Sequence, residues 1–548
     1  SMIIESGNVF HASRFQVLTK TGNEIIPSIH TNPVKFLGRT INFSLSDSEV
    51  IDKFINEITK FLIIIDNSSH KGVHKVWILH HLLIPRARWP LLIYEISYAK
   101  VQKLEQKIST YVRKWLRLHS SITNLSLYST NSPCPLPLKS LTSILKSCKI
   151  SGHLLLRDSL DPSVSNSDIE LKSGAWKVDD AVRTAENELE FRNIVGYHQV
   201  GRAGFGASSS PQTPDKGTHE YRKLISDINY ENDEEVCQAK AVQLALQCHW
   251  SKWTNYIKND LSWKTLLSQP QSLSSFCIGS TYNTLPSPSN LVRWGLEEDS
   301  SCSLCKLKPC TVAHILSGCK VALKQGRITY RHDSILCALL KTLKEFLLSL
   351  KPVKDCDKRT IKFVRPGYNG KPSQKLPIGL LHSAGDWHVL SDLDSCLVIP
   401  SFLAVTQLRP DIFIFSKAKK TVIIIELTSP CEENMETWHS HKTHKYISLC
   451  SQIKSNGFSV HFFAIEVAAR GYSSESVRFC LKRLGYPNKL CRQTLKSLSA
   501  TSLRSSFYIW LSRNIPKWDQ QQNVTTFENF KISKEVPSLK VVIPSSKG

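Results

Sequence analysis

The sequence predicts a multidomain α/β protein, in which a helical region precedes a small zinc knuckle and a compact α/β domain. The chain has 548 residues, which is too long for a single hydrophobic core. Its first third carries apolar residues at helical spacing. Cysteines and a histidine cluster between residues 302 and 319, and residues 409–467 follow the order strand, hairpin, strand, helix, strand.

The charge balance favours a polyanionic partner. The chain contains 70 lysines and arginines against 46 acidic residues, which gives a net charge of +24. Such an excess attracts nucleic acid and makes binding sensitive to salt. From charge alone, a basic protein with no role in nucleic-acid binding is the alternative.

Cysteine usage and the first residues predict a reducing compartment and no membrane partner. The chain has 16 cysteines, and its start lacks the basic and apolar regions of a signal peptide. No apolar run approaches the ~20 residues of a membrane span. In such a compartment, clustered cysteines bind metal more often than they form disulfides.

Residues 1–45 read as short strands and turns, and 46–160 as a helical domain. The capping pattern at 46–49 predicts a helix that buries one apolar face, made of Val50, Phe54, Ile58, Phe61 and Leu62. A second helix is predicted over His70 to Leu83, ending before Pro85.

A third helix, from about Ser97 to Leu116, is amphipathic and basic. Apolar residues keep helical spacing along it, while Arg113 and Lys114 lie among several basic residues on its other faces. These two residues are candidates for contact with a nucleic-acid backbone, and an ordinary solvated helix face is the alternative.

Flexible or loose structure is predicted in part of one further region and at the C-terminal end of the sequence. Residues 161–290 read as a linker region, and its glycine-, serine- and proline-rich part near 201–217 is expected to be flexible. Residues 513–548 are polar and are expected to form a loose tail.

Four residues have the spacing of a zinc knuckle. Cys302 and Cys305 are separated by two residues, and His314 and Cys319 follow after a short loop, with a gap that suits one helical turn. Thiolate and imidazole ligands suit tetrahedral Zn²⁺. Cys310 could replace one ligand, and unrelated free cysteines are the alternative.

The segment that follows the knuckle carries candidate phosphate-binding residues. Arg327, Arg331 and His332 are expected to lie close to the zinc module and to grip nucleic acid. A capped helix start, with Asp333 at the N-cap, explains the same residues and is compatible with that role. The knuckle and this helix occupy residues 291–350.

The hairpin places two acids opposite each other. If Ser416 faces Thr421 across the lysine-rich turn, Asp411 faces Glu426 on the neighbouring strand. The strand that leads to Glu426 is β-branched and should be central in its sheet, so its terminal carboxylate needs a compensating partner. A divalent cation, Mg²⁺ or Mn²⁺, shared by both acids would supply that partner and a bound water.

A predicted helix over residues 432–455 supplies the cation expected beside these acids. Lys442 or Lys445 can reach the carboxylates, and Tyr446 lies one turn beyond Lys442. Glu466, on the last strand, is either a third acidic ligand or the partner of Arg470; we expect the pairing. This grouping predicts metal-dependent phosphodiester cleavage, with an ordinary α/β domain that bears a surface acid pair as the alternative.

Together these parts resemble the C-terminal region of a non-LTR retrotransposon polyprotein that carries a restriction-like endonuclease of the PD-(D/E)xK type. The cysteine–histidine knuckle, the Arg-His-Asp of 331–333 and the order Arg-Pro-Asp, Glu-Leu-Thr, Lys-x3-Tyr are similar to that family's sequence of parts. Residues 35–38 and 80–85 resemble the family's post-palm loop and thumb. One departure is Thr428, which stands where that endonuclease pattern has its lysine.

The resemblance implies a function and a domain order. Residues 1–45 would end a reverse-transcriptase palm, 46–160 would be its thumb, and 375–512 the endonuclease. The intact protein would act in the nucleus, nick a DNA target and prime reverse transcription of the retroelement RNA. We expect the polymerase residues to be missing, because the only Asp-Asp pair, Asp179-Asp180, lies in a polar segment that is predicted to be helical and lacks the required tyrosine.

Two other hypotheses remain open at this point. The first is a catalytically inactive retroelement-derived protein that binds nucleic acid. The second is a protein that the host has adopted for interaction with other proteins, in which the zinc knuckle makes the protein contacts.

Overall fold

The computed structural model describes residues 16–19, 22–25, 33–195, 197–201, 204–208, 213–350, 379–393 and 397–519. It contains two compact units. Unit 1 comprises residues 1–243 and 261–271, and unit 2 comprises 244–260 and 272–548. None of the described helices is both long and apolar enough to cross a membrane.

Unit 1 is mainly helical. Its strands are β1 (Gln16–Thr19), β2 (Gly22–Ile25), β3 (Val34–Phe36), β4 (Arg39–Ile41), β5 (Tyr197–Gly201) and β6 (Gly204–Ser208). Its helices are α1 (Ser48–Asn67), α2 (Gly72–Ile78), a π-helical turn (Leu79–Leu83), α3 (Ile84–Ile93), α4 (Tyr98–Trp115), α5 (Leu125–Tyr128), α6 (Leu141–Arg157), α7 (Pro162–Ser165), α8 (Val178–Val195), α9 (His219–Gln243) and α10 (Trp263–Ser268).

The first and third predicted helices are confirmed as α1 and α4. On α4 the predicted apolar face is buried throughout. On α1 the buried residues are Ile51, Phe54, Ile58, Leu62 and Ile65. Val50 and Phe61 lie at the edge of this face rather than on it, because the buried stripe follows the 3.6-residue repeat from Ile51.

The predicted end of the second helix before Pro85 is wrong. The backbone passes from α2 through the π-helical turn directly into α3, and Pro85 occupies the first turn of α3. Proline cannot donate a backbone hydrogen bond, and it stands where the hydrogen-bonding pattern changes from the π-helical turn to the α-helix.

Much of the predicted linker is integrated into unit 1. Helices α6, α8 and α9 share a buried cluster, to which Ile150, Val182 and Ile225 contribute. The expectation of a flexible stretch near 201–217 is wrong for residues 204–208, because β6 pairs with β5 in an antiparallel ladder. Composition alone does not reveal a neighbouring segment that can supply hydrogen-bond partners. Asp179 and Asp180 lie in the first turn of α8.

Unit 2 combines helices with one four-stranded sheet. Its strands are β7 (His388–Ser391), β8 (Ile412–Ser416), β9 (Thr421–Thr428) and β10 (Ser459–Glu466). Its α-helices are α11 (Gln271–Thr281), α12 (Pro288–Arg293), α13 (Lys320–Lys324), α14 (Arg327–Ser349), α15 (Met435–Lys445), α16 (Ile447–Ser455), α17 (Glu475–Leu484) and α18 (Asn488–Leu511). A π-helical turn covers His314–Gly318, and 3-10 turns cover His249–Lys252, Leu380–Ser383 and Glu432–Asn434.

The sheet has the order β10-β9-β8-β7. The hairpin β8–β9 is antiparallel with Ser416 opposite Thr421, which confirms the predicted register. Strand β10 is parallel to β9, after a crossover through α15 and α16. Strand β9 is therefore central, and it is buried along nearly its whole length.

Each face of the sheet is covered by helices. Ile412, Ile423 and Ile425 point to a core shared with α14, α17 and α18. Phe413 and Ile424 point to a second core, shared with α16. Because side chains alternate along a strand, Glu426 shares the face of Ile424 and is turned toward α15 and α16.

The beginning of the predicted loose tail is ordered against the core of unit 2. The Arg327 guanidinium lies 5.5 Å from the ring centre of Trp518 and donates to the carbonyl of Ile515 at 2.5 Å. The expectation of a loose segment is therefore wrong for residues 513–519, and the rest of the tail lies outside the described residues.

Candidate active site and metal centre

Cys302, Cys305, His314 and Cys319 converge on one point. One ligand atom from each residue lies within 4.8 Å of all the others. The Cys302 and Cys319 sulfurs are 3.9 Å apart, and the Cys305 sulfur is 3.3 Å from Nε2 of His314. Tetrahedral Zn²⁺, with bonds of about 2.3 Å to sulfur and about 2.0 Å to nitrogen, requires such separations. The cluster could thus bind a metal ion such as zinc.

Backbone N–H groups support the thiolate form of the first ligand. Burial opposes ionisation of the Cys302 thiol, but hydrogen bonds from the backbone of Cys305 and Leu304 outweigh it and lower its pKa to about 6. Metal binding requires deprotonated sulfur, so this surrounding favours a ligand role.

Cys310 is not one of the four converging ligands. Its side chain is buried, and burial together with the neighbouring Cys302 raises its pKa to about 12. Burial and the same neighbour also raise the pKa of Cys319, to about 11, so position and not acidity separates Cys310 from the ligands. Of the two possibilities left open by the spacing, the geometry favours the set without Cys310.

Arg327 and Arg331 do not have the accessibility expected of phosphate-binding residues. Both are fully buried. Arg327 donates to the carbonyls of Ser512 and Ile515. The expectation that these two residues grip nucleic acid is therefore wrong for this structure: the donors that would hold a phosphate are already bonded within the protein.

The partners of Arg331 come from three separate segments. Its guanidinium donates to the carbonyl of Leu316 at 2.7 Å, to the carbonyl of Ser429 at 2.9 Å and to the hydroxyl of Ser506 at 3.1 Å. Burial lowers its pKa to about 10. Arg331 therefore joins the segment that carries the Cys/His cluster to the end of β9 and to α18.

Arg113 and Lys114, the candidate nucleic-acid-binding residues on α4 of unit 1, both bond to other residues of the protein. Arg113 donates to the carbonyl of Ile122 at 3.1 Å and to the side chain of Asn124. Lys114 forms an ion pair with Asp66 at 2.7 Å, although two thirds of its side chain is exposed. Lys114 can still approach a polyanion, whereas the Arg113 guanidinium stabilises the turn that follows α4.

Asp411 and Glu426 meet at one edge of the sheet. The backbone N–H of Asp411 donates to Oε2 of Glu426 at 3.2 Å, and Oδ2 of Asp411 accepts the N–H of Leu427 at 2.6 Å. Glu426 is almost completely buried. Burial and the Asp411 charge raise the pKa of Glu426, against the opposing effect of Lys442. A further cation would relieve this strain on the two acids.

The two candidate lysines have different partners. Lys442 forms an ion pair with Oε1 of Glu426. Lys445 donates to the hydroxyl of Tyr446 at 3.2 Å and lies over its ring. The Tyr446 side chain is buried and donates to the carbonyl of Arg409 at 3.1 Å. Burial and the Glu426 charge raise the pKa of Tyr446, which keeps its hydroxyl protonated.

The predicted single helix over 432–455 is divided. A 3-10 turn, α15 and α16 replace it, and Tyr446 stands between the two helices. The break lets the Tyr446 ring enter the core beneath the sheet while Lys442 stays at the carboxylates.

His332 lies at the carboxylates and not on an open surface. Its Nε2 is 3.5 Å from Oδ1 of Asp411 and 3.3 Å from the carbonyl oxygen of Leu427. Its Nδ1 is 3.0 Å from Asp333. Burial lowers its pKa, but the bonds and charges of Asp333 and Asp411 outweigh burial and raise it to about 10. His332 is therefore cationic at neutral pH.

The expected pairing of Glu466 with Arg470 is wrong. Arg470 is buried and forms ion pairs with Glu432 and Glu433 instead. Glu466 accepts hydrogen bonds from Ser474 and contacts His439. Glu466 is the last residue of β10, whereas Arg470 lies in the turn that follows the strand.

Sequence reasoning missed His332 as a neighbour of Asp411, and it missed His439. His439 is three residues before Lys442 on α15, so helical spacing could have placed it on the same face. No comparable signal links His332 to Asp411, which is distant in sequence.

Near Lys442, the surface of α15 forms an open groove of about 660 Å³. Its lining combines an indole with basic side chains: Asn434, Thr437, Trp438, His441, Lys442 and Lys445. Trp438 is 46% exposed, which leaves its ring face open to a stacking partner.

Comparisons with known proteins do not assign the chain to a family. No protein-family model matches the sequence, and no curated protein is significantly similar to it.

Proposed function

We propose that unit 2 is a metal-dependent DNA endonuclease with a restriction-like α/β domain of the PD-(D/E)xK type. The observation that carries this proposal is the meeting of Asp411, Glu426 and Lys442 at the end of adjacent buried strands. Two carboxylates can bind a divalent ion that activates water for phosphodiester hydrolysis, and an ammonium group can stabilise the charge that develops on the phosphate.

Asp411 and Glu426 would hold Mg²⁺ or Mn²⁺, together with the carbonyl oxygen of Leu427. Hard oxygen donors of this kind suit both ions. The bound ion would supply an activated water and neutralise charge on the phosphate. Lys442 would shift from Glu426 to the phosphate and stabilise the charge that develops on its oxygens. Lys445 and Tyr446 would support this arrangement from the side of α15.

The wider proposal concerns the origin of the chain. We infer that it corresponds to the thumb, linker, zinc knuckle and endonuclease of a non-LTR retrotransposon protein. In that role it would nick a chromosomal DNA target in the nucleus and engage the element's RNA. Support comes from the order of the zinc cluster, the Arg-His-Asp segment and the two acids along the chain.

Nicking of a supercoiled plasmid tests the enzymatic part. The zinc-loaded full chain should nick DNA with Mg²⁺ or Mn²⁺. Asp411→Asn should lower the rate by at least about a hundredfold, because it removes one ligand charge with little change of shape. Lys442→Met should do the same, whereas Lys445→Met should retain most activity.

Circular dichroism and zinc content should be equal among these variants, so that a loss of rate is not a loss of folding. Nicking by Asp411→Asn at the wild-type rate would contradict the assignment. A larger loss from Lys445→Met than from Lys442→Met would transfer the catalytic lysine to residue 445.

The second candidate is an inactive protein that binds nucleic acid. It is favoured by the donors that the two acids already have. Glu426 contacts Lys442 and accepts the N–H of Asp411. Asp411 accepts the N–H of Leu427 and contacts His332. A cation would have to displace one of these donors. Salt-dependent DNA binding without cleavage in Mg²⁺ or Mn²⁺ would support this candidate.

A further inference from the structure

A second acid–base pair lies beside the carboxylates. Oε1 of Glu466 is 2.9 Å from Nδ1 of His439. The Glu466 side chain is 3% exposed, while that of His439 is 45% exposed. The carboxylate is therefore inside the protein and the imidazole reaches the surface.

The sheet register places this pair on the same face as Glu426. Strands β9 and β10 pair Glu426 with Ala464 and Thr428 with Glu466. Residues two apart share a face, so Glu426 and Glu466 both point toward α15. With adjacent strands about 4.8 Å apart and a rise of about 3.3 Å per residue, their Cα atoms are separated by roughly 8 Å.

Helix α15 supplies the basic partner of each of these two acids. His439 and Lys442 are three residues apart and therefore neighbours on one face of α15. Lys442 meets Glu426, and His439 meets Glu466. The imidazole thus lies one helical turn from the ammonium group that the proposed function assigns to the phosphate.

The surroundings of Glu466 fix the orientation of the imidazole. Oε2 of Glu466 accepts hydrogen bonds from the hydroxyls of Ser474 at 2.8 Å and Ser476 at 2.7 Å. A carboxylate only accepts, so Nδ1 of His439 carries the proton that it donates to Oε1. In the neutral imidazole Nε2 then bears the lone pair, and among the described residues Nε2 has no hydrogen-bond partner.

We propose that His439 is the general base of strand cleavage and that Glu466 is its positioning residue. This inference rests on the proposed function. Nε2 of His439 takes a proton from the attacking water while the water oxygen forms a bond to phosphorus. The bond from phosphorus to the 3′-oxygen breaks, and the departing oxygen takes a proton from solvent. A carboxylate that orients a histidine through Nδ1 is a recurring device for this task.

Chemical rescue with imidazole tests the proposal in single-turnover plasmid nicking by the full chain. His439→Ala should lower the rate by about a hundredfold or more with unchanged DNA affinity. Added imidazole should raise the rate of His439→Ala at least about tenfold by replacing the lost base. It should not restore Asp411→Asn. His444→Ala, which changes an exposed histidine on the same helix, is the matched control and should nick at the wild-type rate.

Glu466→Gln should also slow nicking, and the double variant with His439→Ala should be no slower than His439→Ala alone, because Glu466 acts through the imidazole. A further loss in the double variant would show an independent role of Glu466, such as metal binding, and would overturn the positioning role.

The outcomes separate the two proposals. If Asp411→Asn is inactive but His439→Ala nicks normally, or is slow and not restored by imidazole, the general-base role is refuted and the endonuclease stands. If wild type and Asp411→Asn do not differ, the endonuclease proposal fails and the role of His439 fails with it.

Discussion

At the residue scale, the environment of His332 makes its positive charge part of the folded state. Asp333 and Asp411 raise its pKa from 6.5 to about 10. A folded-state pKa above the unfolded value contributes stability that is complete below pH 6.5 and is lost as the pH rises toward 10. The charge of His332 therefore links stability to pH in a defined window.

We expect the free energy of unfolding of the wild type to fall between pH 6.5 and 9 relative to that of His332→Gln, because the uncharged amide cannot titrate. Urea unfolding of both chains without added Mg²⁺ measures this difference. His444→Gln controls for the loss of a histidine and should follow the wild type. Parallel pH profiles for wild type and His332→Gln would contradict the prediction.

Residue-level prediction from sequence was limited where partners are distant in the chain. Asp411 and Glu426 were placed correctly because a hairpin register follows from local spacing. Arg331 was misassigned because its acceptors on Ser429 and Ser506 are brought to it only by tertiary packing. A basic residue next to a zinc motif looks the same in sequence whether it faces phosphate or buried carbonyl groups.

At the scale of elements, β-branched patterning and helical periodicity were informative. The continuous β-branched run predicted β9, because a central strand is buried on both faces. Helical periodicity predicted α4, because burial of one helix face imposes a repeat on the sequence. The break at Tyr446 was not predictable, since residues 432–455 contain neither proline nor glycine. It results from packing of the Tyr446 ring under the sheet, which is a tertiary effect.

The Cys/His cluster, which could bind zinc, carries a prediction of its own. Cys302→Ser should lose the bound metal and several kcal/mol of stability, because binding of a structural metal contributes directly to folding. Elemental analysis and urea unfolding of the purified chain measure both effects. Cys310→Ser should keep its zinc, and Cys337→Ser, which changes an exposed thiol, is the control. Unchanged zinc content in Cys302→Ser would show that another ligand set holds the ion.

At the scale of the whole molecule, the charge of +24 predicts how binding depends on salt. Release of counterions from DNA makes affinity fall steeply with salt concentration. For a footprint of several phosphates, we expect a loss on the order of a thousandfold between about 50 and 200 mM salt. Filter binding to a DNA duplex measures this slope. An affinity independent of salt would favour a role in protein interaction.

The organisation of the whole chain was predicted only in outline. The Cys/His cluster and the hairpin were recognised separately, yet both belong to unit 2. The core in which α14 and α18 pack against the sheet has no signature in local sequence. Likewise, α8 and α9 lie within the predicted linker region, although they bury residues such as Val182 and Ile225 in unit 1.

The contacts of Arg331 have a consequence for cellular chemistry. Through its hydrogen bonds, the Arg331 guanidinium connects the turn that contains His314 to the residues at the end of β9, just beyond Glu426. Oxidation of a ligand thiol, or loss of zinc to a chelator, would loosen that turn and release the fastening. The proposed active site would then lose its alignment although its own side chains are unchanged. Oxidation of a cysteine ligand would therefore stop phosphodiester cleavage.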